Sequence, residues 1–426
     1  MKGKIFYTVC LVALPAIYPL MAVVSLVARV FTRKTPRLVW GAAPIINNSY
    51  WSKAMAAAGY ASCTYTASYS YTINRREDYD LVSEEEYPWL HPKFGYYLSF
   101  FRSLYLFDVF FISFQGYFLG GSPLWWLEAH LLRLAGKKVV VLPFGLDVYS
   151  YNRVRSTSLL HGLLMSIPVP ARQQRQIARR VDYWCANADF VIPGFAGPDG
   201  LGRWDVLVPS SLFIDTQAWM PSSRNSPADG VNETVYVAHA PNHRGFKGSE
   251  FVVDAIASLK ADGLKVELVL IEKMPNQKVK EVFQYDVDIL VEQLIATGHG
   301  LNGIEGMASA LPVLSNLEDD DYILPLRRWS YFSECPIVSA SPETLKSTLR
   351  RLITNPELRS QLGVAGRQYV EKYHDFDAAR VFYSDVIETV YGRRTSMINY
   401  CHPLSGEYVS RAPKILHPLQ NSRLPE

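Results

Sequence analysis

From Arg37 onward, short apolar runs alternate with helix-type patterns, and this rhythm limits the chain to very few architectures. "RLVWGAAP", "FDVFFISFQG" and "KKVVVLPFG" read as buried strands, β-branched or aromatic and free of internal polar alternation. "ASCTYTASYSY" is a further strand-like run. Between them, "NNSYWSKAMAAAGY" reads as a helix capped by Asn48 or Ser49 and stopped at Gly59, and "LWWLEAHLLRLAG" as an apolar helix stopped at Gly136. "RQIARRVDYWCANADFVIPGF" gives one more helix and strand. Strand–helix alternation of this kind builds a parallel, doubly wound sheet.

The rhythm breaks at residues 219–233, "WMPSSRNSPADGVNE", whose Pro, Ser, Asn, Asp and Gly content predicts a linker. It then restarts. "TVYVAHAP", "KVELVLIE", "VDILVEQ" and "LPVLSN" read as strands, and "GSEFVVDAIASLKADG" and "QKVKEVFQY" as helices. Two long helical stretches close it. The expected fold class is therefore α/β, with two Rossmann-like doubly wound domains facing across a cleft. Their expected spans are 37–218 and 234–392, with 1–36 as an N-terminal anchor and basic flank and 393–426 as a polar, poorly ordered tail. In such sheets a ligand lies at the carboxyl ends of the strands, at a switch in strand order. The cleft between the halves is the expected site.

Residues 5–28 carry no charge, and as a helix they extend roughly 36 Å, enough to cross a bilayer. Lys2 and Lys4 precede this run, and Arg29, Arg33, Lys34 and Arg37 follow it. It is long for a signal peptide and no clear small-x-small cleavage site ends it, so it reads as a retained membrane anchor with the following domains on the cytoplasmic face, a cleaved signal peptide being the alternative. Pro15 and Pro19 fit either a kinked spanning helix or a re-entrant or interfacial element. A net charge of +3, with no basic tract interleaved with aromatics, argues against nucleic acid as a partner. Five scattered cysteines without a C-x-x-C pair argue against a disulfide framework and a zinc site, and fit a reducing compartment. "LEDDDY", at residues 317–322, places its carboxylates consecutively, which suits a solvated loop better than a metal. "INNS", at 46–49, reads as a loop before a helix, open to a phosphate or an acceptor.

The stretch "ATGHGLNGIEGMASALPVLSN", residues 296–316, concentrates the chemistry. Glycines allow close backbone approach, and a glycine turn feeding a helix start offers N–H groups to an anion. Glu305, read as lying in the first helical turn, suits the helix dipole and can accept hydrogen bonds from ligand hydroxyls.

An ordered series of motifs resembles the C-terminal domain of the GT-B glycosyltransferases, in particular the retaining group that uses nucleotide-sugar donors (family 4). "HRGFKGSEFVVDAI" is similar to that group's lysine–glycine loop and helix, "YDVDILVEQL" to the strand before its donor loop, and "GHGLNGIEGMASALPV" to its G-x-x-x-x-E-x-M-A-x-x-x-P-V signature. "FGLDV" sits where the group often has H-G-x-D-V, and "NADFVI" followed by "DVLVPSSLFIDTQAWMP" resembles the approach to its linker. The likeness covers about residues 37–392.

The resemblance implies a transferase that moves a sugar from a nucleoside diphosphate donor, UDP- or GDP-linked, to a lipid-linked or cell-surface glycan acceptor, with retention and without a bound metal or other cofactor. It implies a diphosphate held on N–H groups around Gly300, Leu301 and Asn302, with His299 lining the donor. Lys247 and Arg244 would supply positive charge, and Glu305 would bind the ribose. Asp147, in "FGLDV", is carried over as a catalytic-site residue. The sequence also departs from the pattern. Thr297 stands where the group pairs a first glutamate with Glu305, Ala238-His239 replaces a Gly-Arg, and Phe144 replaces a histidine. Arg244, His239 or His243 are the available substitutes for the lost arginine. These departures keep two rivals open: a nucleotide-sugar isomerase or epimerase of the same fold, and a non-catalytic glycosyltransferase-like scaffold subunit.

Overall fold

The computed structural model describes residues 2–69, 75–194, 200–224, 227–409 and 413–425, with the side chains of 2–11 left undescribed. The chain forms two compact units. The first comprises Met1–Ser150, Gln174–Val206 and Ala379–Met397; the second comprises Tyr151–Gln173, Leu207–Ala378 and Ile398–Glu426.

In the first unit six strands, β1 (Leu38–Ala42), β2 (Ser62–Thr66), β3 (Leu81–Val82), β4 (Val109–Ile112), β5 (Lys138–Val141) and β6 (Phe190–Val191), form one sheet of order β3-β2-β1-β4-β5-β6. Every neighbouring pair is parallel. The strands are buried on both faces, which is why they read as continuous apolar runs. Asp108, just before β4, is fully buried but compensated: Arg37 Nε and Lys137 Nζ lie 2.8 and 3.2 Å from its carboxylate, and together they hold its pKa below the usual carboxylate value despite burial.

In the second unit β7 (Val235–His239), β8 (Val266–Leu270), β9 (Ile289–Thr297), β10 (Val313–Asn316) and β11 (Val338–Ser339) form a parallel sheet of order β11-β10-β9-β7-β8. The strand order reverses between β7 and β9, so the loops leaving those two strands diverge at the switch point.

The expected strands and their two-sheet grouping are found, and several local expectations need correction. The helix expected to start after Asn48 or Ser49 spans Ile46–Ala57 instead. Asn48 does not cap it. Its Nδ2 donates to Ala43 O at 2.8 Å, so "INNS" is the buried first turn of a helix and not an open loop. The carboxylates of "LEDDDY" open a helix, Asp320–Trp329, with Asp319 as its N-cap accepting from Tyr322 N. The described residues of 219–233 do not run between the units. They belong to the second, where Trp219 and Ala228 are buried and Trp219 O accepts from Arg367 at 2.6 Å. Pro221, Ser223 and Pro227 are exposed, as their residue types suggest, while Trp219 and Ala228 fasten the stretch to the unit. The tail is likewise packed: Tyr400, Cys401 and Leu419 are buried, and Ser422 O accepts from Ser339 N at 2.7 Å at the edge of the second sheet. Of the "ASCTYTASYSY" run, Ser62–Thr66 is strand, and residues 70–74 lie outside the described residues.

Candidate functional site

The site in the second unit is built by the two loops that flank the switch point. After β7, a short helix Arg244–Lys247 ends at Gly248, whose φ of 76° is left-handed and lets the chain turn directly into the helix Ser249–Ala261. After β9, Gly298 (φ 98°) and Gly300 lead into the helix Leu301–Ala308. The first-turn N–H groups of that helix have no acceptors within it.

Lys247 points inward. Its Nζ lies 2.5 Å from Glu292 Oε1 and donates to Gln293 Oε1 at 2.7 Å. The same Glu292 Oε1 accepts Gly300 N at 3.2 Å, and Oε2 lies 3.2 Å from Ser315 Oγ. Register explains how a strand glutamate comes to lie under the glycine turn. In the β9–β10 pairing Val291 faces Leu314 and Gln293 faces Ser315, so Glu292 is the extra residue of a bulge. Bulges redirect side chains in this way. Ser315 and Gln293 close the arrangement by donating to Gly298 O at 2.5 and 3.0 Å.

Glu305 lies in the second turn of its helix, not the first, and is buried. The helix begins only at Leu301, so the dipole contributes less than the sequence suggests. Asn276 Nδ2 and Asn302 Nδ2 stand 3.3 and 3.5 Å from its two oxygens. Burial raises its pKa from 4.5 to about 7, against the opposing pull of those amides and Lys280. The helix that carries it sits close to the helix Pro356–Tyr373 through two glycines. A Cβ on Gly366 would meet Met307 at 3.3 Å, and one on Gly363 would meet Ala310 O at 2.1 Å.

The other expected residues distribute as follows. His299 is buried beside Phe332 and His374, with ring centroids 6.4 and 6.0 Å away, and burial lowers its pKa to about 4. It is a neutral imidazole at physiological pH. Arg244 is part-exposed and engaged by Glu250 and Glu272 at 2.8 and 3.1 Å. His239, one available substitute for the lost arginine, is fully buried: its Nδ1 lies 2.8 Å from Val291 O and its Nε2 2.8 Å from Ser249 Oγ. Burial depresses its pKa to about 4, so it brings no positive charge. Asp147 belongs to the first unit. Its carboxylate accepts Phe114 N at 2.9 Å and Phe144 N at 3.0 Å, tying together the loops that leave β4 and β5, and burial raises its pKa to about 6. The structure thus gathers Lys247, His299, Gly300, Leu301, Asn302 and Glu305 around one turn. Arg244 stands at its edge with acidic partners of its own, and Asp147 holds two loops of the other sheet.

Glu292 was missed at the sequence level, although a signal exists. "VDILVEQLI" places Glu-Gln inside an otherwise apolar buried strand, and a carboxylate there demands a cationic partner.

No family model matches the chain, and no curated protein matches it. Among solved structures it is similar to sucrose-phosphate synthase from Thermosynechococcus elongatus, with a TM-score of 0.55 and 14% identity over 85% of this chain and 100% of that one. It is also similar to HepE from Anabaena in complex with UDP and glucose, with a TM-score of 0.52 and 11% identity over 83% of this chain and 99% of that one. At such identities the likeness is one of architecture. Two doubly wound parallel sheets, each with its own switch point, give this chain a fold of the GT-B type.

Proposed function

We propose that the protein is a glycosyltransferase that moves a sugar from a nucleoside diphosphate donor to an acceptor at a membrane surface, a lipid-linked or cell-surface glycan precursor, with retention of configuration. The observation that carries this is the convergence at the β7/β9 switch point of a lysine, a glycine turn opening a helix, and a buried glutamate. The diphosphate would lie on the N–H groups of Gly300, Leu301 and Asn302, with Lys247 supplying charge, Arg244 adding to it from the rim, and His299 as wall. Glu305 would accept from the ribose hydroxyls. As the donor bond breaks, negative charge spreads over the departing diphosphate, and fixed N–H groups aimed there lower the barrier. The neighbouring HepE structure, which holds UDP and glucose, supports a uridine donor. No cofactor is required by this chemistry, and Asp147 would serve the acceptor side. The apolar N-terminal helix supports placement at a membrane, and the cations that follow it favour the cytoplasmic face.

The test is thermal shift with UDP, GDP, ADP and CMP on the wild type and on Glu305→Ala. A diphosphate that stabilises the wild type at tens of micromolar and not the variant supports the reading and identifies the base. No shift with any nucleotide sinks it.

One observation favours a second reading. Glu292 already satisfies Lys247 and the Gly300 N–H, as expected of a chain that keeps the fold as a non-catalytic scaffold and has given up the donor. That reading predicts no nucleotide binding and no release of nucleoside diphosphate from any sugar donor.

A further inference from the structure

The N-terminal helix Lys2–Ala28 does not stand away from the protein. Leu14, Tyr18, Met21, Ser25 and Ala28 recur at helical spacing, and this stripe packs on the first unit: Met21, Ser25 and Ala28 are buried, and Leu14 and Tyr18 rest against the same core. Tyr18 Oη lies 2.7 Å from His130 Nε2, in the helix Glu128–Leu134. Tyr105 Oη, from the helix Pro92–Leu106, donates to Val24 O at 3.1 Å. Just past the helix, Arg37 donates to Phe31 O at 2.9 Å while paired with Asp108.

The opposite face is apolar and open: Leu20 is 62% exposed, Val23 55% and Val30 84%, with Val27 between them. The two helices on which it packs also carry exposed apolar side chains. Phe94 and Leu98 are exposed and share a helical stripe with Tyr105, and Trp126 is exposed one turn before His130.

The window long enough to cross a bilayer, Val12–Phe31, is therefore the window that packs on protein. A helix fastened along several turns to a unit with a charged sheet end cannot also be wrapped by lipid on all sides, because the hydrocarbon core is about 30 Å thick and offers nothing to solvate those charges. Charge points to what covers the open face. Nine of the chain's lysines and arginines, and none of its aspartates or glutamates, precede Glu77. Arg29, Arg33 and Lys34 lie exposed at the end of the apolar face. A second copy of the chain would bring like charge against like charge; an anionic lipid surface brings the complement.

We infer that this helix is an in-plane membrane element: its outer face, together with Phe94, Leu98 and Trp126, sinks into the headgroup–acyl boundary of an anionic leaflet, and the chain does not cross the bilayer. The inference rests on the membrane association proposed above and fixes its mode. An interfacial helix of this kind buries roughly 5–10 Å deep and presents its cations to the headgroups.

The experiment is cell-free synthesis of the full chain, carrying a protease-cleavable N-terminal peptide tag, with phosphatidylglycerol-containing vesicles or with pure phosphatidylcholine vesicles. The expected result is flotation with the anionic vesicles, at least tenfold weaker flotation with the neutral ones, and complete tag removal by protease added outside. Leu20→Glu with Val23→Glu and Val27→Glu abolishes flotation while leaving the melting temperature within a degree or two, because these side chains touch no core. Flotation with a protected tag overturns the in-plane mode and leaves membrane association standing. Absence of flotation overturns both, and lipid-independent dimers lost in the triple variant would then identify a second copy as the occupant.

Discussion

Glu292 Oε1 stands 2.5 Å from Lys247 Nζ, and the same oxygen accepts the Gly300 N–H. A lysine read in the sequence as reaching toward a ligand is, in the fold, the counter-ion of a side chain beneath the glycine turn. Both side chains are almost inaccessible, so removing either leaves a buried charge without its partner.

Lys247→Met is expected to destabilise the protein by about 3–5 kcal/mol, and Lys247→Met with Glu292→Leu to recover most of that loss. Chemical denaturation of the two singles and the double closes the cycle. Additive losses would show that the pair is not coupled.

Glu305 titrates across the neutral range. Its pKa is raised from 4.5 to about 7, so between those values the folded chain holds a proton that the unfolded chain has released. Its contribution to stability therefore falls as pH rises from about 4.5 to 7 and stays low above that. Glu305→Gln removes this dependence. The melting temperature of the variant relative to wild type is expected to climb from pH 5 to pH 8, and a flat difference would contradict the burial-driven shift.

Gly363→Ala should lower stability even though alanine is the better helix former by about 1 kcal/mol. The new methyl would meet the Ala310 carbonyl oxygen, a backbone atom, at 2.1 Å. A net loss of about 1–3 kcal/mol in urea unfolding is expected, with weaker nucleotide binding because the Glu305 helix must move. A neutral or stabilising result would mean that the two helices separate freely.

Asp147→Ala strands two N–H groups, those of Phe114 and Phe144, and is expected to cost about 2–4 kcal/mol; Asp147→Asn should cost less, since one amide oxygen still accepts. Thermal melts of both variants check the order. A folded, stable Asp147→Ala that is inactive would instead point to direct contact with a substrate.

What the sequence made legible follows from periodicity. Strands buried on both faces are written as apolar runs, so β1, β4, β5, β7, β9 and β10 could be placed to within a few residues. The two-residue strands β3 and β11 carry no such run, and their existence depends on pairing with β2 and β10. Glu305, Gly300 and Lys247 could be singled out by motif, but not the inward turn of Lys247. That turn depends on a bulge in β9, and a bulge is a property of two strands' register, which no single strand spells out. The packing of residues 398–409 and 413–425 was equally hidden. Proline and polar side chains there look like a loose end, yet Tyr400, Tyr408 and Tyr331 pack ring to ring.

Tyr383 is fully buried in the first unit, its ring 4.9 Å from that of Trp40 and 5.4 Å from that of Phe111, on the two central strands β1 and β4. Those strands leave the ribosome early and this tyrosine leaves it late. The first sheet is thus completed only after every strand of the second has been made: until some 380 residues have been synthesised, the Trp40 indole, stacked on Phe111, lacks the edge that Tyr383 covers. A nascent chain with such a gap depends on whatever shields it in the meantime. Truncation a few turns short of the C-terminal helix would damage the half of the molecule that was translated first.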